Sequence, residues 1–199
     1  VPPPEPPTAP SEPDLRAELL ALLAERSFRH SEAGFTLTSG QTSHYYVDCK
    51  QTTLHPRGAY LCGRLLFGLL KGRGIGTVGG LTLGADPLVS AVSLVSHLEG
   101  EPLLGAIVRK SAKGHGTGRW IEGPADPDRP VAVLDDVVTT GKSTVFAIDR
   151  FREAGYRVAC ALALVDRDGG AREAVAERGL SLEALFTLGD ILAHRARKP

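Results

Sequence analysis

Beyond Lys71 the chain repeats one pattern: a short continuous apolar run, a glycine or acidic turn, then an amphipathic helix. Residues 77–81 lead to a helix expected over 86–97, and residues 103–108 form another run. Residues 131–134 precede a helix expected over about 143–154, and residues 158–165 precede one over 170–178. A run that is apolar at every position needs cover on both faces, and such strands alternating with helices make a mostly parallel α/β sheet. Ligands of these sheets bind beyond the carboxyl ends of the strands, so the residues that follow each run are where chemistry is expected.

The N-terminal part differs. Residues 1–13 hold seven of the fourteen prolines and read as a proline-rich flexible tail, because fixed φ angles and missing N–H groups oppose helix and sheet pairing. From Asp14, placed to cap a first turn, Leu15, Leu19, Leu20, Leu22 and Leu23 recur at helical spacing. Residues 35–37 and 45–47 alternate like short strands, which makes a small hairpin-like hood over residues 30–50. Pro56 then stands where a helix would start, with Leu61, Leu65, Leu66, Leu69 and Leu70 as its buried stripe. Residues 14–199 are therefore expected to form one domain, large enough to need no disulfide or structural metal.

Composition narrows the partners. The 23 basic and 23 acidic side chains balance, which argues against a general nucleic-acid or membrane-surface binder. No stretch approaches the roughly 20 apolar residues of a membrane span. Cys49, Cys62 and Cys160 lie far apart with no C-x-x-C pair, so a reducing cytoplasm is expected, with neither a disulfide framework nor a zinc site.

Two nucleotide motifs fail on inspection. Residues 74–79 satisfy G-x-G-x-x-G, but they follow a helix and enter a strand, whereas a dinucleotide fingerprint follows a strand and opens a helix. Gly141, Lys142 and Ser143 resemble the end of a P-loop whose first glycine would fall at Asp136, where a carboxylate would repel phosphate.

Residues 131–144, VAVLDDVVTTGKST, carry the chemistry: a buried strand ending in two acids, a hydroxyl-rich loop and a helix start. Ionised Asp135 and Asp136 accept hydrogen bonds only, which suits two neighbouring sugar hydroxyls. Thr139, Thr140, Gly141, Ser143 and Thr144 offer hydroxyls and backbone N–H groups at a helix N-terminus, which suits a phosphate. The spacing thus fits a sugar 5-phosphate, with its diol on the acids and its phosphate in the loop.

This segment resembles the phosphoribosyl-pyrophosphate (PRPP) motif of the type I phosphoribosyltransferases. Residues 107–116, IVRKSAKGHG, are similar to the basic loop of the orotate phosphoribosyltransferases within that group. FTLTSGQTSHYYVD at 35–48, GLTLGADPL at 80–88 and VDR at 165–167 extend the resemblance over residues 14–195. It implies the type I phosphoribosyltransferase fold, a mostly parallel central sheet flanked by helices with a small N-terminal hood. It also implies transfer of phosphoribose from PRPP to orotate, giving orotidine 5'-monophosphate and pyrophosphate in pyrimidine (UMP) biosynthesis.

The resemblance carries roles onto matching positions. Lys113, His115, Asp135 and Asp136 are the implied catalytic residues. Arg109, Lys110, Lys113, His115, Asp135, Asp136, Val137, Val138, Thr139, Thr140, Gly141, Lys142 and Ser143 are the implied PRPP contacts. Thr139 and Arg167 are the implied orotate contacts, the guanidinium fork being apt for a carboxylate. Mg2+ is the implied cofactor, chelated mainly by PRPP itself rather than by a cluster of protein ligands. A homodimer is implied as well, with the basic loop reaching into the neighbouring subunit's site. Some family members carry lysines where this chain has Thr38 and Asp86, so no basic contact is assigned at either. Tyr45 and Tyr46 could stack near the pyrimidine or pack in the hood. The rival readings are a purine-base phosphoribosyltransferase, which need not share the basic loop or Arg167, and a PRPP-sensing regulator, which would need an output surface.

Overall fold

The computed structural model describes residues 11–36, 42–112 and 119–197. Helix α1, Glu12–Leu22, opens the domain and ends in a wider π turn, Leu23–Ser27. The helix begins two residues before Asp14, and residues 1–10 of the expected proline-rich tail lie outside the described residues. Pro13 is tolerated because the first turn of a helix has no use for its missing N–H. Asp14 sits three residues inside, where its carboxylate accepts from the Ser11 backbone N–H at 3.2 Å and from the Ser11 hydroxyl.

Strands β1, Phe28–Thr36, and β2, Thr42–Val47, pair antiparallel as the hood and are longer than the short segments expected. A short helix α2, Lys50–Thr53, and helix α3, Pro56–Leu70, return the chain to the main domain. Then follow β3 Thr77–Leu81, α4 Asp86–Leu98, β4 Leu104–Val108, β5 Ile121–Glu122 and β6 Val131–Val138. The chain closes with α5 Lys142–Glu153, β7 Val158–Asp166, α6 Ala171–Ala176, β8 Leu182–Thr187 and α7 Leu188–Ala196.

The main sheet has the order β5-β4-β3-β6-β7-β8. Every pair is parallel except β4 with the two-residue β5. Both faces are covered, as the continuous apolar runs require. On one face Ala132 and Leu134 of β6 pack with α1, α3, α4 and Ile191 of α7. On the other, Val131 and Val133 pack with Ala147, Ile148 and Phe151 of α5 and Val175 of α6. This alternation decides where the next two residues of β6 point.

Candidate active site

Strand β3 pairs with β4 on one side and β6 on the other, so the connections diverge between β3 and β6. A crevice opens at such a switch point, beyond the carboxyl ends of the strands. There β6 runs on through both acids to Val138, longer than the run expected from residues 131–134. Being adjacent in a strand, Asp135 and Asp136 face opposite sides.

Asp135 follows the parity of Val131 and Val133 toward α5. Only 6% exposed, it accepts from the Ser143 and Thr144 hydroxyls, each at 2.7 Å, and from the Asp136 backbone N–H at 3.0 Å. Burial pushes its carboxyl up from 3.8 to about 6 despite these hydrogen bonds. Two hydroxyls expected on a phosphate are thereby engaged with Asp135, which ties the strand end to the helix start.

Asp136 follows Ala132 and Leu134 toward the hood side. Its Oδ1 accepts from the Val137 N–H at 2.9 Å, and no described hydrogen bond falls on Oδ2. Burial raises its carboxyl too, opposed by the positive charge of Lys50. Gly84, in the turn after β3, lies against it, and an added Cβ would stand 2.3 Å from Asp136 Oδ1. Any side chain there would fill the space in front of the carboxylate.

Val137 and Val138 pack their side chains into the two cores and hold β6 against β7. After them the loop of Thr139 and Thr140 reaches Gly141, whose φ of 74° is the left-handed conformation that glycine adopts cheaply. Gly141 caps α5, so the backbone N–H groups of Lys142, Ser143 and Thr144 start the helix without intrahelical partners. Lys142 is exposed beside them.

Arg167 follows β7, its backbone N–H bonded to the Val138 carbonyl at 2.9 Å. Its Nη2 donates to Ser43 Oγ at 3.0 Å and to the Tyr45 carbonyl at 3.1 Å, which ties the sheet to the hood. Its Nε is buried without a hydrogen-bond partner, and burial lowers its pKa. The turn is fixed below by buried Asp166, which accepts from Arg172 Nε at 2.8 Å and from the Asp168 N–H at 2.9 Å. Gly169 of the same turn lies against Thr139, so the two residues assigned to orotate share one wall of the crevice.

The basic loop leaves β4. Arg109 Nη1 pairs with Glu122 of β5 at 3.2 Å, and its backbone N–H bonds the Trp120 carbonyl at 2.8 Å. Arg109 and Lys110 therefore stand on the outer side of β3, one strand removed from the acids. Lys113 and His115 fall outside the described residues, as does Thr38. Asp86 accepts from Thr82 Oγ1 at 2.8 Å. Tyr45 packs in the hood, 5.7 Å from the Phe28 ring and 5.4 Å from the His30 ring, while Tyr46 is exposed.

Sequence reasoning missed Lys50, Asp48, Gly84 and the Ser43 anchor of Arg167. Only the VDCK run after the hood strand gave a signal for the first two: charged residues around a cysteine at a strand end. No protein-family model matches the chain. An orotate phosphoribosyltransferase of Thermosynechococcus vestitus is 51% identical over 185 residues, covering 92% of this chain and 96% of the relative. One of Aquifex aeolicus is 44% identical over 178 residues, covering 89% and 97%. The crystal structure of Mycobacterium tuberculosis orotate phosphoribosyltransferase superposes with a TM-score of 0.78 at 40% identity, covering 89% of this chain and 98% of that one. The Trypanosoma brucei adenine phosphoribosyl transferase, with a TM-score of 0.65 at 10% identity over 92% and 84% of the two chains, shares the fold alone. With relatives this similar over nearly its whole length, the chain belongs to the orotate phosphoribosyltransferases.

Proposed function

We propose that the orotate phosphoribosyltransferase reaction is carried out here along one line, from Asp136 to the start of α5 for PRPP and from Thr139 to Arg167 for orotate. The observation that carries this reading is Asp135 held directly against the N-terminus of α5 by the Ser143 and Thr144 hydroxyls, with Asp136 next to it in β6 on the opposite face. Phosphoribose passes from PRPP to a ring nitrogen of orotate, giving orotidine 5'-monophosphate and pyrophosphate for pyrimidine biosynthesis.

The 5-phosphate takes the unpaired N–H groups at the start of α5, where the helix dipole also favours an anion. Asp136, with Oδ2 available, accepts from a ribose hydroxyl, and Asp135 holds the loop hydroxyls in place. Arg167 already fixes two hood acceptors through Nη2, and its remaining donors meet the orotate carboxylate. The transition state is a ribosyl cation with pyrophosphate leaving, so cationic donors aimed at the leaving group lower the barrier. Arg109, Lys110, Lys113 and His115 supply them.

Among the described residues no group of three or more His, Cys, Asp or Glu could hold a metal ion by itself. Mg2+ carried mainly on PRPP oxygens, with Asp136 nearby, would add positive charge against the departing pyrophosphate. The basic stem lies across β3 from the acids, which favours its acting in the other subunit of a homodimer. Leu83, Leu94 and Leu98 are exposed before and along α4, Leu94 in a groove also lined by Val89 and Ile107, and offer apolar area for that contact. The buried free thiols of Cys49, Cys62 and Cys160 fit a reducing cytoplasm. Among the described residues no helix is long and apolar enough to cross a membrane.

Replacing Lys113 with Ala is expected to lower turnover about 100- to 1,000-fold, the cost of one transition-state donor. Mixing Lys113→Ala subunits with Asp136→Asn subunits tests the shared site. Activity should reappear in the mixture, and none would reappear if each subunit used its own loop.

A further inference from the structure

Asp136 of β6 feels the charges of Lys50 and Asp48, which follow the hood strand β2. Lys50, at the start of α2, places Nζ 2.7 Å from Asp48 Oδ1, with the two side chains 37% and 19% exposed. Asp48 also accepts from the Lys50 backbone N–H and from Gln51 Nε2, both at 3.3 Å, so the carboxylate is fixed by more than the ammonium. Lys50 uses one described contact of the three an ammonium can make. The hydrogen bond to Asp48, with the charge of Asp136 adding to it, keeps the group firmly protonated. A partly exposed pair of this kind is held weakly and exchanges readily for a stronger anion.

The chemistry of the substrate says which anion. PRPP is the α-anomer, so its pyrophosphate lies on the same ring face as the 2- and 3-hydroxyls. An acid that takes one of those hydroxyls therefore has the pyrophosphate for a neighbour. The place proposed above for the 5-phosphate is elsewhere, at the start of α5, whose Ser143 bonds Asp135. Against Asp136, Gly84 presents backbone with no side chain, so the turn after β3 approaches the carboxylate closely, an added Cβ standing 2.3 Å from Oδ1.

We propose that Lys50 is a further PRPP-binding residue, an ammonium of the hood that leaves Asp48 for a pyrophosphate oxygen when the ribose diol occupies Asp136. This rests on the reading of the site given above. It assigns the hood a second task, beyond its tie to Arg167, in gripping the group that departs.

The test uses the full chain with Lys50→Gln, which keeps the stem and removes the charge, and Lys50→Arg, which restores it. Lys50→Gln should raise the KM for PRPP and the inhibition constant of pyrophosphate by about 10-fold or more, as loss of one charge-assisted hydrogen bond does. The KM for orotate should stay within about twofold, and Lys50→Arg should recover most of the loss. An unchanged KM for PRPP in Lys50→Gln would overturn the proposal, as would equal rises in both KM values with no rescue by Arg. Calorimetric binding of pyrophosphate to the wild type and Lys50→Gln gives a reading independent of turnover. A wild type that does not convert orotate sinks the underlying reaction, whereas equal pyrophosphate affinities in the two proteins sink Lys50 alone.

Discussion

The acid end of β6 and the hood above it are built by opposite means. Strand β6 is central in the sheet, its acid end is paired with β7, and its buried carboxylate is held by two hydroxyls and a backbone N–H. The hood is a two-stranded ribbon whose register shifts between His30 and Phe35. It is held by the contacts of Tyr45 with Phe28 and His30, by the buried Ser27–Thr52 hydroxyl pair at 2.8 Å, and by the grip of Arg167 on Ser43 and Tyr45. A lone two-stranded ribbon is marginal in water, so the hood takes its position from what it docks onto. The sheet end is suited to holding charge in a fixed place, and the hood to recognition by a surface that substrate can complete.

The largest expected difference between the two lies in Asp136. Asp136→Asn should lower kcat/KM for PRPP by about 100- to 1,000-fold, because a neutral amide cannot match the carboxylate as acceptor in the transition state. Thermal unfolding should move by only a few degrees, about what a change of 1 kcal/mol produces. A large fall in melting temperature would make Asp136 part of the scaffold.

Arg167→Lys probes the hood side and should be milder, raising the KM for orotate about 10- to 100-fold while PRPP binding holds, since an ammonium cannot hold Ser43, Tyr45 and a carboxylate together. Equal losses for both substrates would mean that the hood also organises the β6 end.

The smallest effect is one of stability, at Asp135. Its folded value of about 6 lies above its ordinary 3.8, so between those values the folded state keeps a proton that the unfolded state releases. Stability therefore falls as pH rises through that window, and the full burial cost is present above about 6. Asp135→Asn should gain on the order of 3 kcal/mol relative to the wild type at pH 7.5 in urea unfolding, with the gain gone near pH 4. A variant less stable than the wild type at pH 7.5 would show that the hydroxyl bonds outweigh desolvation.

Elements with a clean local pattern were legible from sequence. Strand β3 matches residues 77–81, α3 starts at Pro56, and the G-x-G-x-x-G run is a turn from α3 into β3, with Gly74 at φ 69°. Strand β8 and helix α7 were not legible. LEALFT is half-buried at a sheet edge, where Glu183 and Ala184 obscure any alternation, and β5 is only two residues paired to β4 across a long connection. The acids, hydroxyl loop and helix start were legible because strand and helix adjoin in sequence. That the two acids face different partners follows from strand parity once β6 is known to run through them. The relation of Lys50 and Gly84 to Asp136 was beyond reach, since it arises only through the docking of the hood and the order β3-β6.

The central claim is that the acids of β6, the start of α5 and Arg167 form one site for PRPP and orotate. The direct measurement is base specificity with PRPP and Mg2+, offering the purified chain orotate, adenine, hypoxanthine and guanine in turn. Orotate should be consumed with release of pyrophosphate, and none of the purines should turn over. Turnover of a purine base with orotate left untouched would contradict that claim.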